Sequence, residues 1–239
     1  MIRKLIGTIV IGAVLVGGVI WAINWRAANT INFTDLAEQV SGMTSNAGRV
    51  ISETVANEVG QPGVVDHVRG NPNARVILVE YADMQCPGCA ALAPVMRELY
   101  EDFGDEIGIV FRHFVLSTMP NSRAAAIAVE AAGQQDRFWE MLEMVFANQA
   151  TWGGLGSAHR AEEFRRLAEL AGVPDIDRWH DDYRNSMQFD VRIRFGQALG
   201  RLQGVDETPT IFLNGERLPR EVAGNPERLR EAIESALAD

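Results

Sequence analysis

Residues 76–92 read VILVEYADMQCPGCAAL, and they contain both cysteines of a chain of 239 residues. Val76 to Val79 form a short, continuous apolar run, which is typical of a strand buried on both faces. A helix is predicted to begin at the cysteines, because Pro87 suits a first helical turn, where its missing N–H donor is not needed. A buried strand that leads into a helix with Cys86 and Cys89 at its start is therefore the centre of the predicted fold.

The segments that follow extend this unit into an α/β architecture. Residues 106–116, EIGIVFRHFVL, form a second strand, and a helix as the crossover predicts that the two strands are parallel. Residues 208–218, TPTIFLNGERL, predict a β-hairpin that turns at Asn214-Gly215, and Asn225-Pro226 starts a last helix. The intervening block shows only helical patterns, at about 121–132, 135–149, 159–171 and 176–202.

The charge distribution excludes one large class of function. The chain carries a formal net charge of −10, and residues 1–26 hold three basic side chains and no acid, so the remainder carries −13. Nucleic-acid binding needs a basic surface, so no nucleic-acid partner is expected. Lys4 is the only lysine, which leaves lysine-based catalysis without a residue in the main domain.

The N-terminus predicts a membrane anchor within residues 1–26. Residues 5–25 carry no charge and are long enough for a helix that spans about 30 Å of hydrocarbon. Arg3 and Lys4 predict a cytoplasmic N-terminus. The alternative is a cleaved signal peptide, whose apolar region is usually shorter, about 7–15 residues. Both interpretations place the rest of the chain in an oxidising compartment outside the cytoplasmic membrane.

Residues 27–63 are predicted to form a partly helical stalk. Their apolar residues recur at alternating steps of four and three, as in an amphipathic helix. Gly42 and Gly48 weaken that helix, which favours loose packing on the domain over a coiled coil. Gln61-Pro62-Gly63 marks a boundary, so residues 64–239 are the predicted main domain.

Two cysteines separated by two residues are compatible with three kinds of site. Zinc needs four ligands, and the four histidines lie at no spacing that completes a site with Cys86 and Cys89. An inert local disulfide is the second alternative. The third is a redox-active dithiol, favoured because a Cys86 thiolate at the start of a helix lies at the positive end of its dipole. C-x-x-C beside a β-α-β unit is also the thioredoxin-like redox pattern.

Three further motifs have structural explanations that we prefer. Residues 153–157 lack the full glycine pattern of a phosphate loop and favour a loop between helices. Residues 138–146 favour a helix packed in the helical block over a ligand pocket. Four acids near a predicted helix start favour a role in complementing the helix dipole, and calcium binding is the alternative. They are Asp175, Asp177, Asp181 and Asp182.

Four segments carry a resemblance to a known family: RGNPNARVILVEYADMQCPGC, FRHFVL, AAIAVEAAGQQDRFWEMLEMVFANQ and GVDETPTIFLNG. In this order they resemble the DsbA-like thiol–disulfide oxidoreductases, and more narrowly their single-domain, thioredoxin-4-type branch. The resemblance covers about residues 64–239. It implies an α/β thioredoxin fold with a helical insertion, about residues 118–203, between the β-α-β and β-β-α halves. A single transmembrane helix is predicted to precede this fold.

The resemblance also implies roles for individual residues. Cys86 is expected to be the exposed attacking sulfur and Cys89 the buried resolving sulfur. Pro209 matches the family's cis-proline, and Thr208 before it is expected to present backbone groups to a bound substrate strand. Glu80 matches the buried acid that handles the proton of the resolving cysteine, with a water-exposed acid at the end of a strand as the alternative.

Pro87 and Gly88 are expected to tune the redox potential. The strongest oxidants of the family have histidine where this chain has Gly88, so one donor to the thiolate is absent. We therefore predict an oxidant of intermediate strength, with a Cys86 pKa of about 4.5–6.5 and a potential of about −130 to −220 mV.

The expected function is extracytoplasmic thiol–disulfide exchange that introduces disulfides into secreted proteins. The expected partners are reduced secreted proteins and a quinone-linked membrane reoxidant, DsbB-like or vitamin-K-epoxide-reductase-like. The expected form is a single-pass monomer in the cytoplasmic membrane, with the domain on the periplasmic side and no cofactor or metal besides the Cys86–Cys89 disulfide. The alternatives are a disulfide reductase or isomerase of the same fold, and a non-catalytic, membrane-tethered module that binds peptide beside Pro209.

Overall fold

Five strands form one mixed sheet in the computed structural model, which describes residues 32–44, 50–52 and 64–239. The order across the sheet is β1-β3-β2-β4-β5. Every residue of β2 and β3 is buried, which the apolar run Val76–Val79 predicts for β2. In chain order the strands are β1 (His67–Gly70), β2 (Val76–Ala82), β3 (Ile107–His113), β4 (Thr210–Leu213) and β5 (Glu216–Arg217).

The β-α-β unit predicted around the cysteines is confirmed. β2 and β3 are parallel, with Val76 opposite Ile107 and Ala82 opposite His113. Helix α2 (Pro87–Phe103) is the crossover between them. Its buried residues recur at steps of three and four, which places them on one face against the sheet: Cys89, Leu92, Met96 and Leu99.

The predicted hairpin is also confirmed. β4 pairs antiparallel with both β2 and β5, and the turn is Asn214-Gly215. The φ angles of these two residues are 48° and 90°, a region that glycine and asparagine tolerate best. The Asn214 side-chain oxygen accepts from Ile77 N at 2.8 Å, and Asn214 N donates to Ile77 O at 2.9 Å. These two bonds attach the turn to β2.

Strand β1 was not predicted from the sequence. Its four residues, HVRG, are all partly buried and too few to give a clear strand pattern. It pairs antiparallel with β3, with His67 opposite Phe111. Pairing with an existing strand, rather than a local pattern, therefore makes this segment extended.

Six helices form the insertion between the two halves of the sheet. The prediction of one helix over residues 176–202 is wrong, because the chain leaves the helical conformation at Asn185 (φ −95°, ψ 50°). Trp179, before the break, packs inside the insertion and donates to Ala128 O at 3.0 Å. The helix after the break lies on β3, where a Cβ on Gly196 would be 2.9 Å from His113 O. One straight helix cannot make both contacts. The six are α3 (Ser122–Gly133), α4 (Phe138–Ala147), α5 (Gln149–Trp152), α6 (Ser157–Leu170), α7 (Ile176–Arg184) and α8 (Met187–Leu202).

The C-terminal half ends in two helices, α9 (Arg220–Ala223) and α10 (Pro226–Ala238). Asn225 caps α10, because its side-chain oxygen accepts from Arg228 N at 2.9 Å. Leu229 and Ile233 of α10 are buried in a cluster with β2 and α2. The predicted β-β-α half is thus present, and helices cover both faces of the sheet.

Helix α1 (Phe33–Thr44) is the described part of the predicted stalk. Leu36, Ala37 and Val40 are buried, and the Arg194 guanidinium of α8 lies 5.0 Å from the centre of the Phe33 ring. Within the described residues, no helix has the length and hydrophobicity needed to cross a membrane. The span predicted at residues 5–25 lies outside those residues, as does most of the segment around the predicted boundary at residue 63.

Candidate active site

The two cysteines lie at the start of α2, in the position that the sequence predicted. Cys86 is the N-cap residue and Pro87 the first helical residue. Cys86 O accepts from Ala90 N at 3.1 Å, which closes the first turn of the helix. Both cysteines are free thiols; Cys86 is 8% exposed, whereas Cys89 is fully buried. Cys86 is therefore not the exposed sulfur that the resemblance implied, although of the two cysteines it alone retains some exposed surface.

The surroundings of Cys86 favour its thiolate. A hydrogen bond from Cys89 lowers the Cys86 pKa most, against the effect of burial, and the value falls to about 5. Hydrogen bonds from Thr208 and from the backbone N–H groups of Gly88 and Cys89 lower it further. This pKa lies within the interval predicted from the sequence. Cys86 is therefore ionised at neutral pH.

The surroundings of Cys89 have the opposite effect. Burial raises the pKa of Cys89 far above its ordinary value, and the hydrogen bond to Cys86 and the charge of Glu80 raise it further. Cys89 is therefore a thiol in the reduced protein. One reactive thiolate beside one protonated thiol is the arrangement that thiol–disulfide exchange needs.

The loop before β4 faces Cys86. The Thr208–Pro209 peptide bond is cis. In the thiol form Cys86 Sγ donates to Thr208 O at 3.3 Å. The Thr208 hydroxyl is buried and, within the described part of the chain, has no partner at ordinary hydrogen-bond geometry, so it can donate to a thiolate. The loop and the dithiol thus form one site.

Glu80 lies in the middle of the sheet, between Phe111 of β3 and Ile211 of β4. It is 5% exposed, and its Oε1 atom is buried without a hydrogen-bond partner among the described residues. Burial, and next the charge of Cys86, raise the pKa of Glu80 to about 8. The alternative of a water-exposed acid is thus wrong, and at neutral pH Glu80 is mainly protonated.

A groove of about 390 Å³ runs from Cys86 along the surface of the domain. Its floor is apolar and its rim carries one ion pair, in which Arg220 Nη1 lies 3.3 Å from Glu207 Oε2. It is lined by Cys86, Gly88, Ala91, Leu92, Val95, Glu207, Thr208, Pro209, Arg220, Ala223, Gly224 and Pro226. The reactive sulfur, the cis-proline and an apolar surface are therefore available to one extended peptide.

The helical insertion holds the loop before Cys86 by contacts that the sequence did not predict. Gln149 of α5 donates through its amide to Met84 O and to Cys86 O, both at 3.0 Å. The Gln85 side chain donates to Gly153 O at 2.8 Å and accepts from Asn121 N at 2.8 Å. Glutamine is common on surfaces, so no spacing in the sequence distinguishes these residues.

The other candidates from the sequence take structural roles. Asp175 caps α7 by accepting from Arg178 N at 2.9 Å, and among the described residues no cluster of histidine, cysteine and acidic side chains could hold a metal ion. The carbonyl of Gly153, in the predicted interhelical loop, accepts from the Gln85 side chain at 2.8 Å and from Asn121 Nδ2 at 2.9 Å. His113 is buried and lies 3.0 Å from Glu130.

Comparisons with known proteins agree with this fold. Residues 63–235 match the family Thioredoxin_4, described as thioredoxin. The chain belongs to this thioredoxin family. The crystal structure of oxidised BdbD from Bacillus subtilis has a TM-score of 0.64 at 21% identity, covering 81% of this chain and 99% of that one. DsbA2 from Pseudomonas aeruginosa has a TM-score of 0.58 at 26% identity, covering 73% and 96%.

Curated relatives with higher identity have a different name. The Na(+)/H(+) antiporter NhaA 1 of Salinispora arenicola is 39% identical over 177 residues, which are 72% of this chain and 25% of the antiporter. The protein of the same name in Mycolicibacterium gilvum is 36% identical over 156 residues, 64% of this chain and 24% of that one. The chain spans about a quarter of these antiporters, so the similarity concerns a part of them.

In this thioredoxin domain, Gln149→Leu is expected to raise the Cys86 pKa and to lower the free energy of unfolding by about 1–3 kcal/mol. The leucine leaves the carbonyl of Met84 without its donor and releases the backbone of Cys86, which loosens the N–H groups that bind the thiolate. Thiolate absorbance against pH measures the first effect. The matched control is Gln197→Leu, which also removes two backbone hydrogen bonds, both to Val115 and away from the dithiol. If both variants keep the wild-type Cys86 pKa, Gln149 has no positioning role.

Gly88→His is expected to lower the Cys86 pKa and to make the disulfide more oxidising. A Cβ at residue 88 would lie 3.7 Å from Cys86 Sγ, so an imidazole there can donate to the thiolate. The same Cβ would be 3.2 Å from Pro209 Cδ, a tight contact that Gly88→Ala also introduces. The alanine variant therefore separates crowding from hydrogen bonding. An equal pKa in the alanine and histidine variants would contradict the prediction.

Proposed function

We propose that this chain is a membrane-anchored thiol–disulfide oxidoreductase that introduces disulfides into proteins outside the cytoplasmic membrane. The observation that carries the proposal is the pairing of an accessible, low-pKa Cys86 with a buried, protonated Cys89 at the end of a peptide-sized groove. Membership of the thioredoxin family and the similarity to DsbA2 support it.

The reaction starts from the Cys86–Cys89 disulfide. A substrate thiolate attacks Cys86 Sγ, the bond to Cys89 breaks, and a mixed disulfide between substrate and Cys86 remains. A second thiolate of the same substrate attacks the substrate sulfur of that bond. Cys86 then leaves as a thiolate, and the substrate carries the new disulfide away. The two electrons from the substrate thiols then reside in the Cys86–Cys89 dithiol until a membrane partner accepts them. We propose a quinone-linked partner of the DsbB or vitamin-K-epoxide-reductase type.

The low pKa of Cys86 favours the oxidising direction. A stable thiolate is a good leaving group and stabilises the reduced form, which makes the disulfide a stronger oxidant. The pKa of about 5 lies between about 7 for thioredoxin and about 3.5 for DsbA. We therefore propose that the chain is an oxidant of intermediate strength, with a reduction potential between about −130 and −220 mV.

An oxidation assay with the full chain tests the proposed function. The oxidised protein is mixed with a reduced, unfolded substrate protein, and the loss of substrate thiols is followed with time. We expect the wild type to oxidise its substrate and Cys86→Ala to be inactive while still binding peptide in the groove. A wild type that reduces insulin but oxidises no substrate would support the reductase alternative. A wild type that binds peptide without either activity would support the non-catalytic module.

A further inference from the structure

The reaction proposed above needs a proton for the buried cysteine in every cycle. When a substrate thiolate attacks Cys86, the S–S bond breaks and Cys89 leaves with the electron pair. The environment of Cys89 favours the thiol strongly, so the sulfur takes up a proton. Protonated Glu80 is coupled electrostatically to Cys89 and is the donor that we assign, and after this transfer it is a carboxylate in the middle of the sheet. Glu80 must then recover a proton from solvent.

The surroundings of Glu80 offer a route for that exchange. Its neighbours in the sheet are Phe111 and Ile211, whose side chains have no exchangeable proton. A cavity of about 10 Å³ adjoins Glu80 on the side of the helical insertion. This is about the volume that one water molecule requires. The buried Oε1 atom of Glu80, which has no partner in the described part of the chain, is available to a water there.

The far side of this cavity carries charged side chains from three elements: Arg69 of β1, Arg97 of α2 and Glu143 of α4. Arg97 is paired with Glu101 at 2.6 Å. Arg69 Nη2 lies 2.6 Å from Glu143 Oε1, and the Arg69 guanidinium covers the ring of Trp139 at 4.6 Å from its centre. The Glu143 side chain is 27% exposed, so its carboxylate contacts both the cavity and solvent.

We propose that Glu80 exchanges its proton with solvent through this cavity, by way of one water molecule and the Glu143 carboxylate at its mouth. The proton passes from solvent to Glu143, then through the water to Glu80, and from Glu80 to the leaving Cys89 sulfur. In the reverse reaction, Cys89 gives its proton to Glu80 and the same groups carry it outward. Arg69 positions Glu143, and Trp139 separates the route from bulk water. This inference rests on the proposed disulfide exchange, and it assigns the helical insertion a part in proton transfer.

The test is a single turnover of the full-length oxidised protein with a reduced peptide, measured from pH 6 to 9 in H₂O and D₂O. Glu143→Gln keeps the size of the side chain and removes its carboxylate. We expect the release of Cys89 to slow about tenfold, less than the 10²–10⁴ of a group that transfers the proton directly. We also expect a larger solvent isotope effect. The equilibrium constant with glutathione should be unchanged, because a relay alters rates only.

Two further variants make the result specific. Glu140→Gln changes an exposed acid on the same helix, which pairs with Arg137 at 3.2 Å, and should behave as the wild type. Ala93→Val puts methyl groups into the cavity without changing any charge, and should reproduce the slow release. A Glu143→Gln protein as fast as Glu140→Gln, or one whose equilibrium constant shifts by the same factor as its rate, would overturn the proposal. A wild type without any disulfide exchange would instead reject the proposed function.

Discussion

Glu130→Gln is expected to lower the free energy of unfolding by about 1–3 kcal/mol, because it leaves the partly buried Arg192 without its counter-ion. Glu130 of α3 is fully buried. Its carboxylate accepts from Arg192 of α8, and it lies 3.1 Å from His67 Nε2 of β1 and 3.0 Å from His113 Nε2 of β3. This cluster connects the helical insertion to the sheet at the edge where β1 pairs.

The pH dependence of this cluster follows from its charges. Arg192, the histidines and their hydrogen bonds hold the pKa of Glu130 well below its ordinary value, against burial. A lowered carboxyl pKa adds stability that is present above about pH 4.5 and is lost as the pH falls toward the folded-state pKa. Glu130→Gln should remove that dependence.

Urea unfolding at pH 7 and at acidic pH measures both effects. The matched control is Glu169→Gln on the surface of α6, whose pair with Arg165 at 3.0 Å is exposed, and its stability should change by less than about 0.5 kcal/mol. A Glu130→Gln protein as stable as this control would show that the buried cluster does not hold the insertion in place.

Glu80→Gln is expected to make the stability of the reduced protein rise with pH, whereas the stability of the wild type changes little between pH 5 and 8. The Glu80 pKa is raised to about 8 from 4.5, so the folded protein binds more protons than the unfolded chain between these values. Its contribution to stability is therefore complete below about pH 4.5 and is lost as the pH rises to about 8. At about 1.4 kcal/mol per pKa unit, the loss amounts to about 4–5 kcal/mol.

Cys86 acts in the opposite direction over an overlapping interval. Its pKa is lowered to about 5 from 9.0, so its contribution grows as the pH rises through this interval and is complete above about pH 9. The two effects largely oppose each other in the wild type. The stability of Glu80→Gln should therefore rise as the pH increases from 5 to 8, whereas the stability of Cys86→Ser should fall.

Urea unfolding under reducing conditions at pH 5, 6.5 and 8 is the measurement for both variants. A buried glutamine amide adds a cost that does not depend on pH, so the slope, and not the absolute stability, is the quantity to compare. Equal slopes for the wild type and Glu80→Gln would contradict the raised pKa of Glu80 and its role as a proton donor at neutral pH.

Local patterns were sufficient to predict the sheet centre and the position of the dithiol. The apolar run at Val76–Val79, Pro87 after Cys86, and Asn214-Gly215 each have a local physical preference that agrees with the final fold. Agreement between local preference and tertiary packing is what makes a segment predictable. The cis state of Thr208–Pro209 was expected from the resemblance together with the sequence Thr208-Pro209-Thr210, since the general preference of the peptide bond favours trans.

Features decided by tertiary contacts were missed. β1 has no periodic pattern and is extended because β3 offers it partners. The helix over residues 176–202 breaks at Asn185 because its two halves pack on different surfaces, which a continuous helical pattern does not reveal. Glu130, Gln149 and Glu143 read as ordinary polar residues on helices. Their importance comes from the backbone and side chains that folding brings to them from distant segments.

Trapping of the mixed disulfide tests the central claim most directly. The full-length Cys89→Ser protein is mixed with a reduced, unfolded substrate under oxidising conditions, and the linked product is identified by peptide mapping. Without the resolving sulfur, the bond between substrate and Cys86 should persist, so we predict a stable adduct through Cys86 and none with Cys86→Ser, in which only the buried Cys89 remains. Absence of an adduct through Cys86, or an equal yield of adduct through Cys89, would contradict the assignment of Cys86 as the attacking sulfur.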